Sequence, residues 1–285
     1  MKTRTSVKSV ELPNRATLQY VEQGWRGGLP VVLLHGITDS WRSFEPVLPH
    51  LPDSLHAFAL TQRGHGDSSR PASGYRLEDF AGDVESFLDA VGLESAVLVG
   101  HSMGTAVAQR FAIDKHGRVR GLVLLGAVAT LRGNAPVRDL WDTTISTLTD
   151  PIDREFVLDF QRSTIAREIP PEFLEAVVDE SLKLPARVWR DAFAGLLEAD
   201  LTPSLGRIAA PTLLLWGDTD VIADAGQQVV LGEGIPGAEL RVYAGGGHAV
   251  HWETPERVAA DIAAFVAALC EPARRDGAVA AIAIA

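Results

Sequence analysis

Cysteine is nearly absent from this 285-residue chain: Cys270 stands alone, so no internal disulfide can form. Its place near the end of an apolar helical pattern points to packing rather than catalysis. Basic residues are also scarce, with 26 Lys and Arg against 37 Asp and Glu. The resulting charge of -11 repels a phosphate backbone and argues against a nucleic-acid partner. No apolar run is long enough to span a bilayer: the longest, Ala278 to Ala285, falls far short of the roughly 20 residues required. No membrane partner is therefore expected. Lys2, Arg4 and Lys8 are followed by no apolar signal-peptide core, which makes a cytoplasmic location the default expectation. H-E-x-x-H is absent and none of the 8 histidines has metal-site spacing, so no metal and no other cofactor is expected.

What remains is the composition of an ordinary globular protein, 46% hydrophobic and 22% charged, in a chain long enough for one sizeable core. Short apolar runs alternate with stretches of helical period, the pattern of an α/β fold with a mostly parallel sheet. The runs are Val31 to Leu34, Ala57 to Leu60, Ala96 to Val99, Leu122 to Leu125, Thr212 to Trp216 and Leu240 to Tyr243. Each is short enough for a buried strand, and the residues around Pro13 to Arg15 read as an edge hairpin. Leu77, Phe80, Ala81, Val84, Leu88 and Val91 form one helical stripe, and Val258, Ile262, Phe265 and Leu269 form another. Thr254 followed by Pro255 predicts an N-cap with proline at the first helical position. From 132 to 205 strands vanish, and Asp150-Pro151, Pro170-Pro171 and Pro185 punctuate about four helices. The expected organisation is a discontinuous core of residues 1–131 and 206–272, a helical cap insertion at 132–205, and a frayed Ala-rich tail at 273–285.

Gly100-His101-Ser102-Met103-Gly104 follows one strand directly and opens a helical pattern, the context that gives G-x-S-x-G its meaning. A serine on so tight a turn presents its hydroxyl above the sheet, which makes Ser102 the candidate nucleophile. A neutral hydroxyl attacks poorly, so a base must lie within reach and an acid must orient that base. His248, in the loop Gly245-Gly246-Gly247-His248 between the last strand and the last helix, is the candidate base. Asp220, in Gly217-Asp218-Thr219-Asp220, is the preferred acid, with Asp218 and Asp224 as rivals that would otherwise cap a turn or helix. His35 and His101 are expected to brace loops beside the serine, and His251 to be surface or satisfied core. His50, His56, His65 and His116 are expected near the surface. Attack on a carbonyl charges its oxygen, and the backbone amides of Ile37 and Met103 are the candidate oxyanion-hole donors. The insertion carries Trp141, Phe156, Phe160, Phe173, Trp189 and Phe193, several of which could line an apolar pocket rather than merely pack the helices. Trp41, Trp141, Phe160 and Trp189 are the candidate substrate contacts.

Together these residues resemble the α/β-hydrolase superfamily over about Thr5 to Leu269. The matching elements are Leu33-Leu34-His35-Gly36, Arg63-Gly64-His65-Gly66-Asp67-Ser68, Gly100 to Gly104, Trp216-Gly217-Asp218-Thr219-Asp220, and Gly247-His248 followed by Glu253-Thr254-Pro255-Glu256. The resemblance implies an α/β-hydrolase fold: a mostly parallel eight-stranded sheet flanked by helices, with a helical cap between strands six and seven, and the roles given above. Thr61 departs from the aspartate usual before the Arg-Gly-His-Gly turn, Ala223-Asp224 from a common proline, and Thr105 from a frequent glycine. The expected activity is hydrolysis of a small to medium-sized, largely apolar carboxylic ester or lactone, with that small molecule as the partner. Carbon–carbon bond hydrolysis, peracid formation and cyanide elimination use the same three residues and stay open, as does a non-catalytic receptor. Epoxide hydrolase and dehalogenase chemistry is disfavoured, because serine attack on an alkyl carbon leaves an inert ether.

Overall fold

The computed structural model of the protein describes residues 6–270. One eight-stranded sheet organises them: β1 (Val7–Glu11), β2 (Thr17–Gly24), β3 (Pro30–Leu34), β4 (His56–Thr61), β5 (Ala96–His101), β6 (Val119–Leu125), β7 (Thr212–Gly217) and β8 (Glu239–Tyr243). The spatial order is β1-β2-β4-β3-β5-β6-β7-β8. Only β1 with β2 and β2 with β4 pair antiparallel, as the edge hairpin requires. From β4 through β8 every neighbour is parallel.

The central strands β3 to β6 are buried at nearly every position because both faces are covered. Val32, Leu34, Leu98, Leu122 and Leu124 enter the core on one face, where α1 (Leu77–Ala90) and α2 (Met103–Asp114) pack. Their alternates Val31, Leu33, Val97, Val99 and Val123 join the core on the other. β8 differs from the expected buried strand: it closes the sheet edge, and Leu240 and Val242 are exposed.

Between β6 and β7 the chain forms α3 (Ala135–Thr143), α4 (Arg154–Arg162), α5 (Pro171–Leu182) and α6 (Ala186–Glu198). Local chemistry sets their starts: Asn134 and Asp153 side chains accept the backbone N–H of Val137 and Glu155, and proline stands at or beside the first position of α5 and α6. α7 (Ala225–Gly234), α8 (Val250–Glu253) and α9 (Pro255–Cys270) complete the chain. α9 starts where Pro255 predicts, but the Thr254 hydroxyl donates to the Val250 carbonyl of α8 instead of accepting from the new helix. Cys270 is exposed, so it does not pack. The tail from 273 lies outside the described residues, and no described helix is long and apolar enough to cross a membrane.

Candidate active site

β5 ends in the middle of the sheet, between β3 and β6, and the chain turns there from strand to helix with almost no connection. Ser102 takes the turn with φ 50° and ψ -118°, a positive φ that non-glycine residues adopt only at a strain cost of about 1–3 kcal/mol. Crowding enforces it: a Cβ on Gly104 would lie 2.1 Å from the Leu34 carbonyl oxygen, so α2 rises against β3 closely enough to exclude any side chain there. Ser102 is half-buried and lines a cavity of about 250 Å³ at the carboxyl edge of the strands, the edge where open α/β sheets bind ligands.

His248 and Ile37 line the same cavity. His248 is 4% exposed, and its Nδ1 donates to Asp220 Oδ2 at 2.8 Å. Asp220 Oδ1 accepts from the N–H groups of Ile222 at 2.8 Å and Ala223 at 2.9 Å. Burial alone would raise the Asp220 pKa, but the facing His248 and these donors outweigh it and hold the carboxylate below its ordinary value. The rival acids are occupied elsewhere. Asp218 accepts the Gly245 N–H at 2.6 Å, and Asp224 caps α7 by accepting the Gln227 N–H at 3.0 Å. No hydrogen bond joins Ser102 Oγ to His248 among the described residues; in unliganded enzymes such contacts are commonly long.

Met103 opens α2, and its side chain is buried in the core while its amide is the first of the helix. Neither that amide nor the Ile37 N–H is engaged by another group among the described residues. The turn that carries Ile37 is braced by His35, whose Nε2 accepts the Gln62 N–H at 3.0 Å while Nδ1 donates to Gly36 O at 2.7 Å. Burial and the neighbouring His65 hold His35 well below the usual histidine range, so it stays neutral. Thr61, where an aspartate is usual, accepts the Trp41 N–H at 3.1 Å, and the Thr105 hydroxyl donates to Ser102 O at 2.7 Å.

Among the expected substrate contacts, Phe160 alone lines the cavity. Trp189 has no exposed surface: it stacks on Phe193 and meets Phe160 edge-on, because its face of α6 packs against α4. Trp41 is buried in the core on the opposite sheet face, and Trp141 is half-buried against the first core. The cavity wall is instead completed by Leu131, Val137, Leu140, Phe193, Leu196, Val221, Ile222 and Trp252. Val221 and Ile222 follow the candidate acid directly and Trp252 follows the candidate base by four residues, so proximity in sequence was the available signal. His56 and His65 are buried, contrary to expectation. His56 Nε2 lies 2.9 Å from Glu22, and His65 Nδ1 donates to Arg63 O at 2.7 Å. His251 is buried in the core, and its Nε2 hydrogen-bonds Ser43 Oγ at 3.0 Å.

The loop that carries His248 is tied to the inserted helices. Glu253 accepts the N–H groups of Gly247 at 3.0 Å and of Ala166 at 2.6 Å, and the Ala249 N–H donates to Thr164 O at 2.9 Å. Among the described residues no group of three His, Cys, Asp or Glu side chains could hold a metal ion.

The family model described as alpha/beta hydrolase fold matches residues 30–255. The chain belongs to this family. It is 31% identical over 249 residues to the AB hydrolase superfamily protein YisY of Bacillus subtilis, covering 84% of this chain and 91% of that one. It is 30% identical over 271 residues to the non-heme chloroperoxidase of Streptomyces lividans, covering 87% and 95% respectively. Among solved structures, the esterase RhEst1 from Rhodococcus sp. ECU1013 superposes with a TM-score of 0.79 at 28% identity, over 93% of this chain and 99% of that one. This α/β hydrolase thus shares its family with proteins named for different reactions.

Proposed function

We propose that this α/β hydrolase cleaves uncharged, largely apolar carboxylic esters or lactones of small to medium size through an acyl-serine intermediate. The observation that carries the reading is a strained Ser102 lining one apolar cavity with His248, whose far ring nitrogen is fixed to Asp220 at 2.8 Å. Ser102 Oγ attacks the carbonyl carbon as its proton passes to His248 Nε2, and Asp220 stabilises the imidazolium formed. The carbonyl oxygen, now negative, accepts hydrogen bonds from the Ile37 and Met103 amides, each of which is worth roughly 100-fold to 1,000-fold in rate. Collapse expels the alcohol, which takes the proton from His248, and water attacks the acyl-serine by the same steps in reverse roles.

The helices α3 to α6 act in this reading as a cap. Leu140, Phe160, Phe193 and Leu196 give the acyl chain an apolar wall. A second reading, peracid formation with hydrogen peroxide in place of water, is favoured by the likeness to the Streptomyces chloroperoxidase. A fluorophosphonate probe followed by peptide mass spectrometry tests the nucleophile. Ser102 in the folded protein should be labelled and Ser102→Ala should neither label nor turn over 4-nitrophenyl esters; an unlabelled Ser102 would favour a binding role.

A further inference from the structure

One polar group in the cavity is neither nucleophile, base nor oxyanion donor. Asp39 follows Ile37 by two residues, is 3% exposed, and lines the same chamber as Ser102 and His248. Its carboxyl is fixed across the seam between core and insertion: Oδ2 accepts from Ser43 Oγ at 3.1 Å and Oδ1 from Gln161 Nε2 of α4 at 3.2 Å. No Lys or Arg pairs with it among the described residues, and the neighbouring Arg42 is turned to Glu45 and Glu180.

Of the histidines around Asp39, His101 and His251 supply no cation at neutral pH. From β5, His101 Nδ1 stands 3.9 Å from Oδ2, yet neither His101 ring nitrogen has a hydrogen-bond partner. Burial, with His251 and His248 close by, holds His101 well below the histidine range, and His251 likewise. His251 reaches Asp39 only through Ser43, and His248 is held by Asp220. From α4 the facing group is the neutral Gln161.

We infer that Asp39 sets the charge selectivity of the site: its carboxylate rejects substrates carrying a second anionic group near the scissile carbonyl and leaves uncharged ones unopposed. The inference rests on the ester-cleaving reading and names its substrate class. Burial pushes Asp39 up to about 7, against the pull of Ser43, Gln161 and His248, so the rejection strengthens as pH rises through that value. In an apolar-walled chamber of this size two like charges sit within several ångströms, enough for a roughly tenfold to hundredfold discrimination.

The test compares 4-nitrophenyl butanoate with the mono-4-nitrophenyl ester of succinic acid, whose carboxylate is ionised throughout, at about pH 5.5 and about pH 8.5. The ratio of the two kcat/KM values cancels ionisations that serve both esters equally. In the unaltered protein the anionic-to-neutral ratio should fall at least tenfold between the two pH values, and Asp39→Asn should raise it at the higher pH and flatten its pH dependence. A ratio independent of pH and of Asp39→Asn overturns the inference while leaving ester cleavage standing. Should neither ester turn over, the ester reading fails, and calorimetric binding of the matching anilides to Ser102→Ala protein decides the selectivity alone. The anionic anilide should weaken relative to the neutral one as pH rises; unchanged relative affinity overturns the proposal.

Discussion

Replacing Asp220 by Asn alters almost no volume, yet the hydrogen bonds around it dictate how the new amide turns. The two backbone N–H groups of Ile222 and Ala223 at Oδ1 demand an acceptor, so the Asn oxygen must occupy that position. Its NH2 then faces His248 Nδ1 across the present 2.8 Å contact and donates to it. The ring proton is forced onto Nε2, the nitrogen that should take the Ser102 proton. The imidazolium formed on attack also loses its counter-charge in a pair where both partners are about 5% exposed or less. The equivalent exchange in a serine protease lowers kcat about 10,000-fold, or about 5 kcal/mol of barrier. We expect a loss of about that order in kcat/KM for 4-nitrophenyl butanoate, with near-native circular dichroism. Asp218→Asn and Asp224→Asn should each cost less than about tenfold, because the turn and the α7 cap they serve do not touch the imidazole. An Asp220→Asn protein within tenfold of the parent, or an Asp218→Asn protein that falls further, refutes the reasoning.

Gly126 has φ 55°, and a Cβ there would lie 2.8 Å from His248 Nδ1; Gly126→Ala should lower kcat/KM at least about tenfold by displacing the ring, and an unchanged rate counts against the assigned base. Trp189→Ala should cost about 3–5 kcal/mol of stability in urea titration, since the side chain is wholly enclosed. Leu140→Ala, on the chamber wall, should instead move ester chain-length preference towards longer acyl groups, seen as a higher octanoate-to-butanoate ratio. Asp39 is raised from 3.8 to about 7, so between those values the folded protein keeps a proton that the unfolded chain has lost. The stability it confers is complete at low pH and declines as pH rises through 7, by at most about 4 kcal/mol. Asp39→Asn should remove that decline, and a variant-minus-parent unfolding difference equal at about pH 5 and about pH 8 would contradict it.

The turn around Ser102 was legible because its chemistry is local: strand, glycine, serine and helix lie within a few residues, and the backbone they impose is observed. The pairing of Asp220 with His248 followed from chain order, although a separation of 28 positions hides the contact itself. Trp41, Trp141 and Trp189 were misplaced for one reason. Aromatic character shows that a side chain will be buried, but tertiary packing decides whether it faces the chamber, a neighbouring helix, as Trp189 of α6 faces α4, or the opposite sheet face, as Trp41 does. Asp39 carried no signal in the sequence, since the group that orients it, Gln161, is 122 positions away. His65 likewise gave no sign of burial, because its one hydrogen-bond partner is the carbonyl of Arg63 within its own turn.

The tether between Glu253 and the amides of Gly247 and Ala166 makes His248, the proposed base, and the roof of the chamber one mechanical unit on that side. Remodelling residues 164–167 to accommodate a new ligand would shift the imidazole as well, so turnover and recognition should change together. Redesign confined to α3, which shares no hydrogen bond with Glu253 among the described residues, offers the route to altered preference with the proton-transfer geometry left in place.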